Sequence, residues 1–537
     1  MLIRQRRPAL LLRFALAGVW ALVGLTPVPV GPAATAAASA ASAACAPLPA
    51  PSGTIVNVAT VAQLQNAVAA LTSNTTILIA DGVYDLTNTL NIRGVNNVAL
   101  RSASGNREGV VLRGRGMSNA SYGNVPHVLA IYDASDVTIA DLTLRDAYYH
   151  LIQVHGEDGP QRPRFHNLHL IDSGEQFIKG STGGAGGPYS DGGVVACSRF
   201  EYTTRARSDY TNAVDVLAGA DWVIRDNVFR NIRAPQGQLA GPAVLMWRNS
   251  IGTIVERNLF IECDRAIALG LSAPDGNSRY GETTYDHQGG VVRNNFIYRA
   301  GPGDVGITAN YAANVQVLHN TVILNDTFAW AIEYRFASTN ATVRYNLTDG
   351  PILARNGAQG ALLGNLTDAA PGWFVNAQGA DLHLTAAATA AIDHAAPLAA
   401  VLDDFDGQTR PIGASPDVGA DEYAAPTPTR VSDLRITSHQ INPGTLTVTL
   451  NWSALPGATA FIVKGAIEPI TAANWDSHNQ IGPELPGTAS SASVSIDSVN
   501  GVGYFAIKYR NAEGMLSEIS NPAFWPRLEV FVPLVRR

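Results

Sequence analysis

The run Gly290-Val-Val-Arg-Asn-Asn295 returns in looser form as Val315-Gln-Val-Leu-His-Asn320, and similar apolar runs recur along the middle of the chain. Aligning them places one polar residue per repeat in a single column: Asp141, Asn167, Ser198, Asn227, Asn258, Asn295, Asn320, Asn346 and Asn365. The spacing is 25 residues from 295 to 320, 26 from 320 to 346 and 31 from 227 to 258. Asparagine tolerates the left-handed backbone of a tight bend, and its amide can bond to an asparagine stacked above it. The column therefore predicts one corner of a solenoid, with one irregular coil per repeat.

The repeat pattern resembles the right-handed parallel β-helix of the pectate lyase superfamily over residues 54–423, which implies an all-β solenoid. Before the repeats, Thr60 is a suitable N-cap for helically spaced apolar residues that run to Leu71, so we expect a short N-terminal cap helix. This opening looks like that of secreted β-helix proteins such as the chondroitinase B and alginate lyase family. Segments 404–413 and 417–423 resemble a closing segment of bacterial β-helix proteins, which we expect to cover the end of the solenoid.

After a linker at 424–430 the sequence changes to alternating strands over residues 431–525. This part resembles a small fibronectin type III β-sandwich, with Trp452 as the expected core tryptophan. The tail at 526–537 is too short to span a membrane, and we predict no role for it.

Residues 1–44 have the pattern of an export signal followed by a low-complexity segment, because arginines precede a short apolar run and then small residues. We therefore expect a secreted or cell-surface protein, and no later run is long enough to cross a bilayer. Cys45 follows a stretch that is weakly similar to a lipoprotein cleavage box, so lipid anchoring is an alternative. Cys197 and Cys263 are expected to be buried thiols, since the register places them about two coils apart.

A second strand in each coil, such as Ile178-Lys-Gly-Ser181, has apolar first and third residues that point inward, so the second and fourth point outward. Adjacent coils lie about 4.8 Å apart. One outward column contains Gln153, Lys179, Asp215 and Met246, and the other contains Tyr132, His155, Ser181, Arg248, Asn310 and Arg335. Long insertions flank this strand on both edges: 156–164, 182–193 and 272–289 on one, 203–211 and 234–242 on the other. They predict a groove across the middle coils.

Lys179 stands out because the chain has only two other lysines, Lys464 and Lys508. A lysine held among other cations or partly desolvated can lose its proton near neutral pH, whereas arginine stays protonated. We therefore predict that Lys179 acts as a base in the groove.

β-Elimination from a uronic-acid polysaccharide needs a base, a group that neutralises the carboxylate and an acid for the leaving oxygen. We assign these roles to Lys179, Arg248 and His155. A Ca²⁺ ion held by Asp215 and Glu175 is an alternative neutraliser, and the resemblance implies Ca²⁺ because lyases of this superfamily often use it. The expected substrate-binding residues are Gln153, Tyr132, Asn310 and Arg335.

A net charge of −7 with no basic cluster argues against nucleic acid as a partner and permits an acidic glycan gripped by local cations. We predict an exported, monomeric, carbohydrate-active protein, a polysaccharide lyase. Two alternatives stay open: a non-catalytic glycan-binding or surface protein, and a glycoside hydrolase that uses Asp215 with another carboxylate.

Overall fold

The computed structural model describes residues 45–425, 428–498, 503–512 and 514–525. The predicted export signal at 1–44 and the tail at 526–537 lie outside these residues, as do two positions of the predicted linker. From Thr54 to Leu363 the chain forms the predicted right-handed parallel β-helix, whose coils each contribute strands to three parallel sheets. We number these sheets in the order in which a coil passes through them.

The strands of the three sheets follow one another in chain order, as a solenoid requires. Sheet 1 has 12 strands: Thr54–Val58, Thr75–Ile79, Asn96–Ser102, Ser135–Ala140, Arg164–His166, Val194–Ala196, Val223–Arg225, Ile254–Glu256, Val291–Arg293, Val315–Leu318, Asn340–Arg344 and Gln359–Leu363. Sheet 2 has 10 strands: Gly82–Asp85, Val110–Arg113, Thr143–Ala147, His169–Ser173, Arg199–Glu201, Val228–Arg230, Leu259–Ile261, Phe296–Tyr298, Thr321–Ile323 and Leu347–Thr348. Sheet 3 has 10 strands: Leu90–Arg93, Leu129–Tyr132, Ile152–Val154, Ile178–Gly180, Val214–Leu217, Val244–Trp247, Ile267–Leu269, Ile307–Asn310, Ile332–Arg335 and Ile352–Arg355.

Smaller elements complete the described part of the chain. A parallel sheet contains Ser250–Ile251, His287–Gln288 and Ala312–Ala313, and an antiparallel pair contains Phe374–Asn376 and Asp381–Leu384. Short 3-10 helices occur at Gly156–Asp158, Gly184–Gly186, Arg279–Gly281, Pro371–Trp373, Ala377–Gly379 and Trp475–Ser477.

A nine-residue α-helix, Val61–Ala69, lies between the first two strands of sheet 1. The Thr60 side chain accepts the N–H of Gln63, so the predicted N-cap is present. The helix buries Leu64 and Val68 in the same core as the inward residues of the sheets. None of the helices in the described ranges is both long and apolar enough to pass through a bilayer.

The predicted asparagine ladder is present at one corner, between sheets 1 and 2. From Asn258 onward, the side-chain oxygen of each ladder asparagine accepts both the backbone N–H and the side-chain amide of the asparagine one coil earlier, over distances of 2.9–3.2 Å. Each amide also donates to a sheet 1 carbonyl of the preceding coil, as Asn258 does to Ile224. Because every polar atom is paired, these buried amides are stable in the core. The ladder begins at Ser198 and continues through Asn227, Asn258, Asn295, Asn320, Asn346 and Asn365.

Two details of the predicted column are wrong. Asp141 and Asn167 lie one residue before the ladder position, in a column with left-handed backbone, where φ is 60° and 50°. In the later coils the left-handed residue likewise precedes the ladder residue, as at Asp226 and His319. The ladder asparagines are therefore selected for their amide hydrogen bonds, and the bend itself is made by the residue before them.

The closing segment does not cover the end of the solenoid, contrary to our expectation. It packs along the outer face of sheet 2, where Phe405 stacks on Phe296 with ring centroids 3.9 Å apart. Asp403 anchors it through an ion pair with Arg257 at 2.6 Å. The last strand of sheet 1, Gln359–Leu363, remains exposed along its length.

The cysteine prediction is half right. Cys263 is a buried free thiol, as expected. Cys45 and Cys197 form a disulfide, so Cys197 is not a free thiol. A sulfur in a disulfide cannot also carry a lipid, which excludes lipid anchoring at Cys45 in this structure. The disulfide ties the first described residue to a strand corner in the middle of the solenoid.

Beyond the linker, two antiparallel sheets enclose a separate apolar core. One sheet contains Arg435–Asn442, Thr445–Asn451 and Ser491–Asp497, and the other contains Leu485–Pro486, Ala460–Ala466, Gly503–Arg510 and Ala523–Trp525. Trp452 is buried in this core against Phe461, as the sequence predicts. The small β-sandwich is thus present, while its kinship with fibronectin type III domains stays a prediction.

Replacing a ladder asparagine should destabilise the protein more where that asparagine is fully buried. Asn295→Ala removes the oxygen that accepts two buried donors of Asn258, so we expect it to lower the free energy of unfolding by about 2–5 kcal/mol. Asn365→Ala is the matched control, because its oxygen also accepts two donors but is half-buried and water can replace it. Urea unfolding followed by circular dichroism measures both. Equal losses in the two variants would contradict the role of burial.

Candidate active site

The outer face of sheet 3 carries the predicted columns in its first coils. Lys179 pairs in register with Gln153 on one side and Asp215 on the other. Its neighbours Ile178 and Gly180 are buried, as the alternation predicts. His155 follows the strand next to that of Lys179, so these two side chains leave neighbouring coils.

The register slips by one residue at the next strand. Asp215 pairs with Leu245, and Leu217 pairs with Trp247, so the predicted positions of Met246 and Arg248 in the outward columns are wrong. Met246 is buried and points inward, whereas Trp247 points outward. The stretch from Val244 to Trp247 is apolar throughout. The sequence there has no alternation of polar and apolar residues that could show which side chains point inward.

Lys179 and Asp215 form a buried ion pair beneath this face. The ammonium lies 2.6 Å from Asp215 Oδ2, and the two side chains are 10% and 2% exposed. The indole N–H of Trp247 donates to the other carboxylate oxygen at 2.8 Å. Both oxygens of Asp215 are therefore held, which lets the carboxylate remain charged away from water.

The surroundings of Lys179 differ from those we expected. Its side chain is 10% exposed and is held in an ion pair with Asp215, instead of lying free on a wetted surface. The exposed ring of Tyr210, 56% accessible, lies with its centroid 5.9 Å from the lysine nitrogen. An aromatic ring from the loop at 203–211 therefore lies beside the lysine.

His155 is oriented by a carboxylate. Its Nδ1 lies 2.8 Å from Glu157 Oε1, and Glu157 also accepts a short hydrogen bond from Ser181. Burial raises the pKa of Glu157, but the hydrogen bonds from His155 and Ser181 outweigh that effect and lower this pKa to about 2. Because the carboxylate can only accept, Nδ1 carries the proton, and Nε2 is left with a lone pair in the neutral ring. Nε2 is buried and has no hydrogen-bond partner among the described residues.

Tyr132 packs on this histidine. Their rings are stacked with centroids 3.9 Å apart, and the guanidinium of Arg93 lies 3.2 Å from the Tyr132 centroid on its other side. The predicted substrate-binding tyrosine is thus part of a three-layer stack that fixes the histidine ring.

A second histidine lies at the opposite edge of the strand. His150 is buried, and its pKa is well below the usual value because of burial and the nearby charges of His127 and Lys179. Its Nε2 is 3.8 Å from Glu175, which also contacts Arg207 at 3.4 Å. Burial raises the pKa of Glu175, although Arg207 and Lys179 oppose this. The sequence assigned no role to this neutral imidazole.

Asp215 and Glu175 do not fit the predicted calcium site. Ca²⁺ needs several oxygen ligands that converge on one point. The oxygens of Asp215 accept from Lys179 and Trp247, while Glu175 faces His150 and Arg207, and the lysine ammonium would repel a cation beside Asp215. No metal-ligand cluster among the described residues includes either carboxylate.

Arg248 is the first residue after the strand Val244–Trp247 of sheet 3. It adopts φ of 60°, and its guanidinium pairs with Asp275 at 2.7 Å. Its guanidinium also lies 5.1 Å from the ring of Trp247, so that tryptophan links it to the Lys179–Asp215 pair.

The other predicted substrate-binding residues are spread along the sheet. Gln153 is buried and donates to Ser181, and Asn310 is buried beside Thr308. Arg335 is partly exposed and lies six strands of sheet 3 beyond the His155 position, about 29 Å away at 4.8 Å per strand. It cannot contact the same sugar as His155.

Insertions pack together along both edges of sheet 3, while the groove between them stays a prediction. On one edge, the loops at 181–193 and 270–290 are locked together by Arg279, which is buried and bridges to Asp191 at 2.7 and 2.9 Å. Tyr280, next to this clamp, is 69% exposed. On the other edge, Arg207 packs over Tyr148 at 3.9 Å, close to the exposed Tyr210. These insertions thus present exposed tyrosines on both sides of sheet 3.

Four residues near these side chains were not predicted from the sequence: Trp247, Glu157, Tyr210 and Arg279. The contacts of Trp247, Tyr210 and Arg279 join segments that are distant in the sequence. An acidic residue two positions after a histidine, as in His155-Gly-Glu157, is the only local signal among them.

The chain matches no protein-family model and is similar in sequence to no curated protein. Several solved structures resemble it, among them the following three. An alginate lyase from Paenibacillus sp. str. FPU-7 is 16% identical with a TM-score of 0.39, covering 58% of this chain and 98% of the lyase. A polygalacturonase from Erwinia carotovora is 13% identical with a TM-score of 0.34, covering 59% and 96%. An Fn3-like protein from Clostridium thermocellum is 19% identical with a TM-score of 0.15, covering 20% and 99%.

The buried ion pair makes a prediction about stability. Either Lys179→Met or Asp215→Asn should lower the free energy of unfolding by about 3–5 kcal/mol, because each leaves its partner buried without a counter-charge. The double variant Lys179→Met/Asp215→Asn should lose less than the sum of the singles, because it leaves no unpaired buried charge. Urea unfolding of all four proteins gives the coupling energy. Losses below about 1 kcal/mol in both singles, as for a surface pair, would contradict the burial of this pair.

Proposed function

We propose that this protein is a carbohydrate-active enzyme that cleaves a uronic-acid polysaccharide by β-elimination on the outer face of sheet 3. The observation that carries the proposal is the placement, on neighbouring coils, of a fixed cation, Lys179, and a carboxylate-oriented imidazole, His155. The groove walls support an extended substrate, since exposed tyrosines such as Tyr280 offer flat faces to sugar rings.

In this reaction the proton on the carbon beside the sugar carboxylate is removed, the bond from the next carbon to the glycosidic oxygen breaks, and a carbon–carbon double bond forms. A base takes up the proton, and an acid supplies one to the leaving oxygen, so water is not consumed. Negative charge builds up on the sugar carboxylate as the proton leaves.

Lys179 stabilises that charge in our scheme, which replaces the role of base predicted from the sequence. An ammonium held by Asp215 and Trp247 is pre-oriented, so it stabilises developing charge without having to reorganise. This scheme uses neither the Ca²⁺ ion predicted as an alternative neutraliser nor the two carboxylates of a hydrolase.

His155 Nε2 is the proposed base, and Tyr210 is the proposed acid. The neutral imidazole has its lone pair on Nε2, and Glu157 stabilises the imidazolium that forms. Nε2 is covered in this structure, so the sugar has to displace that cover before the proton can move. Tyr210 is exposed, and the centroid of its ring lies 5.9 Å from the lysine nitrogen.

Hydrolysis by Asp215 and a second carboxylate has less support. An inverting hydrolase needs two carboxyl groups about 6.5–9.5 Å apart with a water between them. Both oxygens of Asp215 already accept hydrogen bonds from Lys179 and Trp247, and the side chain is only 2% exposed, so it is poorly placed to activate water.

The proposal predicts an ultraviolet signal. Purified full-length protein mixed with alginate, polygalacturonate, chondroitin and hyaluronan should raise the absorbance near 235 nm with at least one polymer, because elimination creates a conjugated double bond. Lys179→Ala should abolish that signal, whereas Lys464→Ala, in the sandwich, should leave it unchanged. New reducing ends without absorbance would indicate hydrolysis, and binding without either product would indicate a glycan-binding protein.

The assignment of the proton-transfer groups makes a separate prediction. His155→Gln and Tyr210→Phe should each lower kcat on the active polymer by about 10²–10⁴-fold, the usual contribution of a general acid or base. Tyr504→Phe, in the sandwich, is the control for loss of a tyrosine hydroxyl and should have no effect. Unchanged kcat in Tyr210→Phe would remove Tyr210 from the mechanism.

A further inference from the structure

We propose that the closing segment contains a binding site for a divalent cation of the zinc type, formed by His383, Asp406 and Asp421. One potential ligand atom from each residue lies within 4.8 Å of the other two. The site lies on the outer face of sheet 2 and is independent of the proposed lyase activity.

The histidine is already oriented as a ligand. Its Nε2 lies 3.0 Å from Asp406 Oδ2, and its Nδ1 lies 2.6 Å from Asp381 Oδ1. Metal-binding histidines usually donate their second N–H to a carboxylate, which is the place of Asp381 here. Ligand atoms around a tetrahedral cation with bonds of about 2.0–2.1 Å lie about 3.3 Å apart, close to the separation of Nε2 and Oδ2.

Asp421 provides an independent indication. The residue is only 5% exposed, and its Oδ2 accepts the N–H of Leu384 at 2.6 Å. A buried carboxylate is costly without a counter-charge, and a cation held between Asp421 and His383 would supply one.

The other buried acids of the segment are fully used by the backbone. Asp404 accepts from Asp406, Gln408 and Glu422, and Asp417 accepts from Asp393 and Tyr423. Their carboxylates shape the turns of the segment. The acids around His383 differ because their oxygens also converge on one imidazole.

The ligand chemistry selects the cation. An imidazole nitrogen with two carboxylates suits Zn²⁺ or a similar transition ion, whereas Ca²⁺ prefers oxygen ligands alone and more of them. The bound ion would connect the strand Asp381–Leu384 to two later turns. The His383 ring packs edge-on against Phe296 of sheet 2 with centroids 5.2 Å apart, so the ion would also fasten the segment to the solenoid.

The test is metal retention by untagged full-length protein. Chelator-treated protein is mixed with Zn²⁺ or Ca²⁺, desalted, and its metal content measured by mass spectrometry. We expect close to one Zn²⁺ per chain, no retained Ca²⁺, and a rise of several degrees in Tm with Zn²⁺. His383→Gln and Asp421→Asn should each lose the retained Zn²⁺ and the shift in Tm.

Matched controls are His394→Gln and Asp368→Asn, which alter exposed residues of the same types outside the cluster. Both should bind Zn²⁺ as the unaltered protein does. If the unaltered protein retains no Zn²⁺, or if His383→Gln retains as much as His394→Gln, the cluster is an ion-pair network and the proposal is wrong. Should His383→Gln fail to fold by circular dichroism, Asp421→Asn decides by the same measurement.

Discussion

Hydrogen bonding between successive coils is the interaction on which this structure depends. Each coil is irregular in length, and the three sheets exist only because the backbone of one coil pairs with that of the next in register. The asparagine ladder reinforces this register at one corner, since every amide bonds to both neighbouring coils. The same register decides which side chains lie on the outer face of sheet 3, because a shift by one residue would exchange its inward and outward side chains.

Two buried carboxylates on sheet 3 have the same kinds of hydrogen-bond partner. Asp215 accepts from Lys179 and from the indole of Trp247. Four strands away, Glu333 accepts from Arg355 and from the indole of Trp330. In each case an almost fully buried carboxylate accepts hydrogen bonds from one cation and one tryptophan, which compensate its charge and fix its position. The first of these pairs lies beside His155 and Tyr210, so it is the one that we connect with catalysis.

The closing segment and the disulfide add connections that the coil repeat does not provide. Cys45 is joined to a corner 152 residues away, and the segment after the last coil returns along sheet 2 instead of covering the end. Contacts of this kind link coils that are not neighbours, and they leave the final strand of sheet 1 exposed. A cation at His383 would add one more connection of the same type.

The sequence by itself determined the repeat, the ladder from Asn227 to Asn365, the alternation in most strands and the placement of Lys179 between Gln153 and Asp215, because these depend on local periodicity. Only the tertiary structure decided that Trp247 and not Arg248 shares the face, since the apolar stretch there fits either phase. It also decided that Arg279 clamps Asp191 and that the lysine is buried and paired, because these contacts join residues 88 and 36 positions apart whose approach no local pattern records.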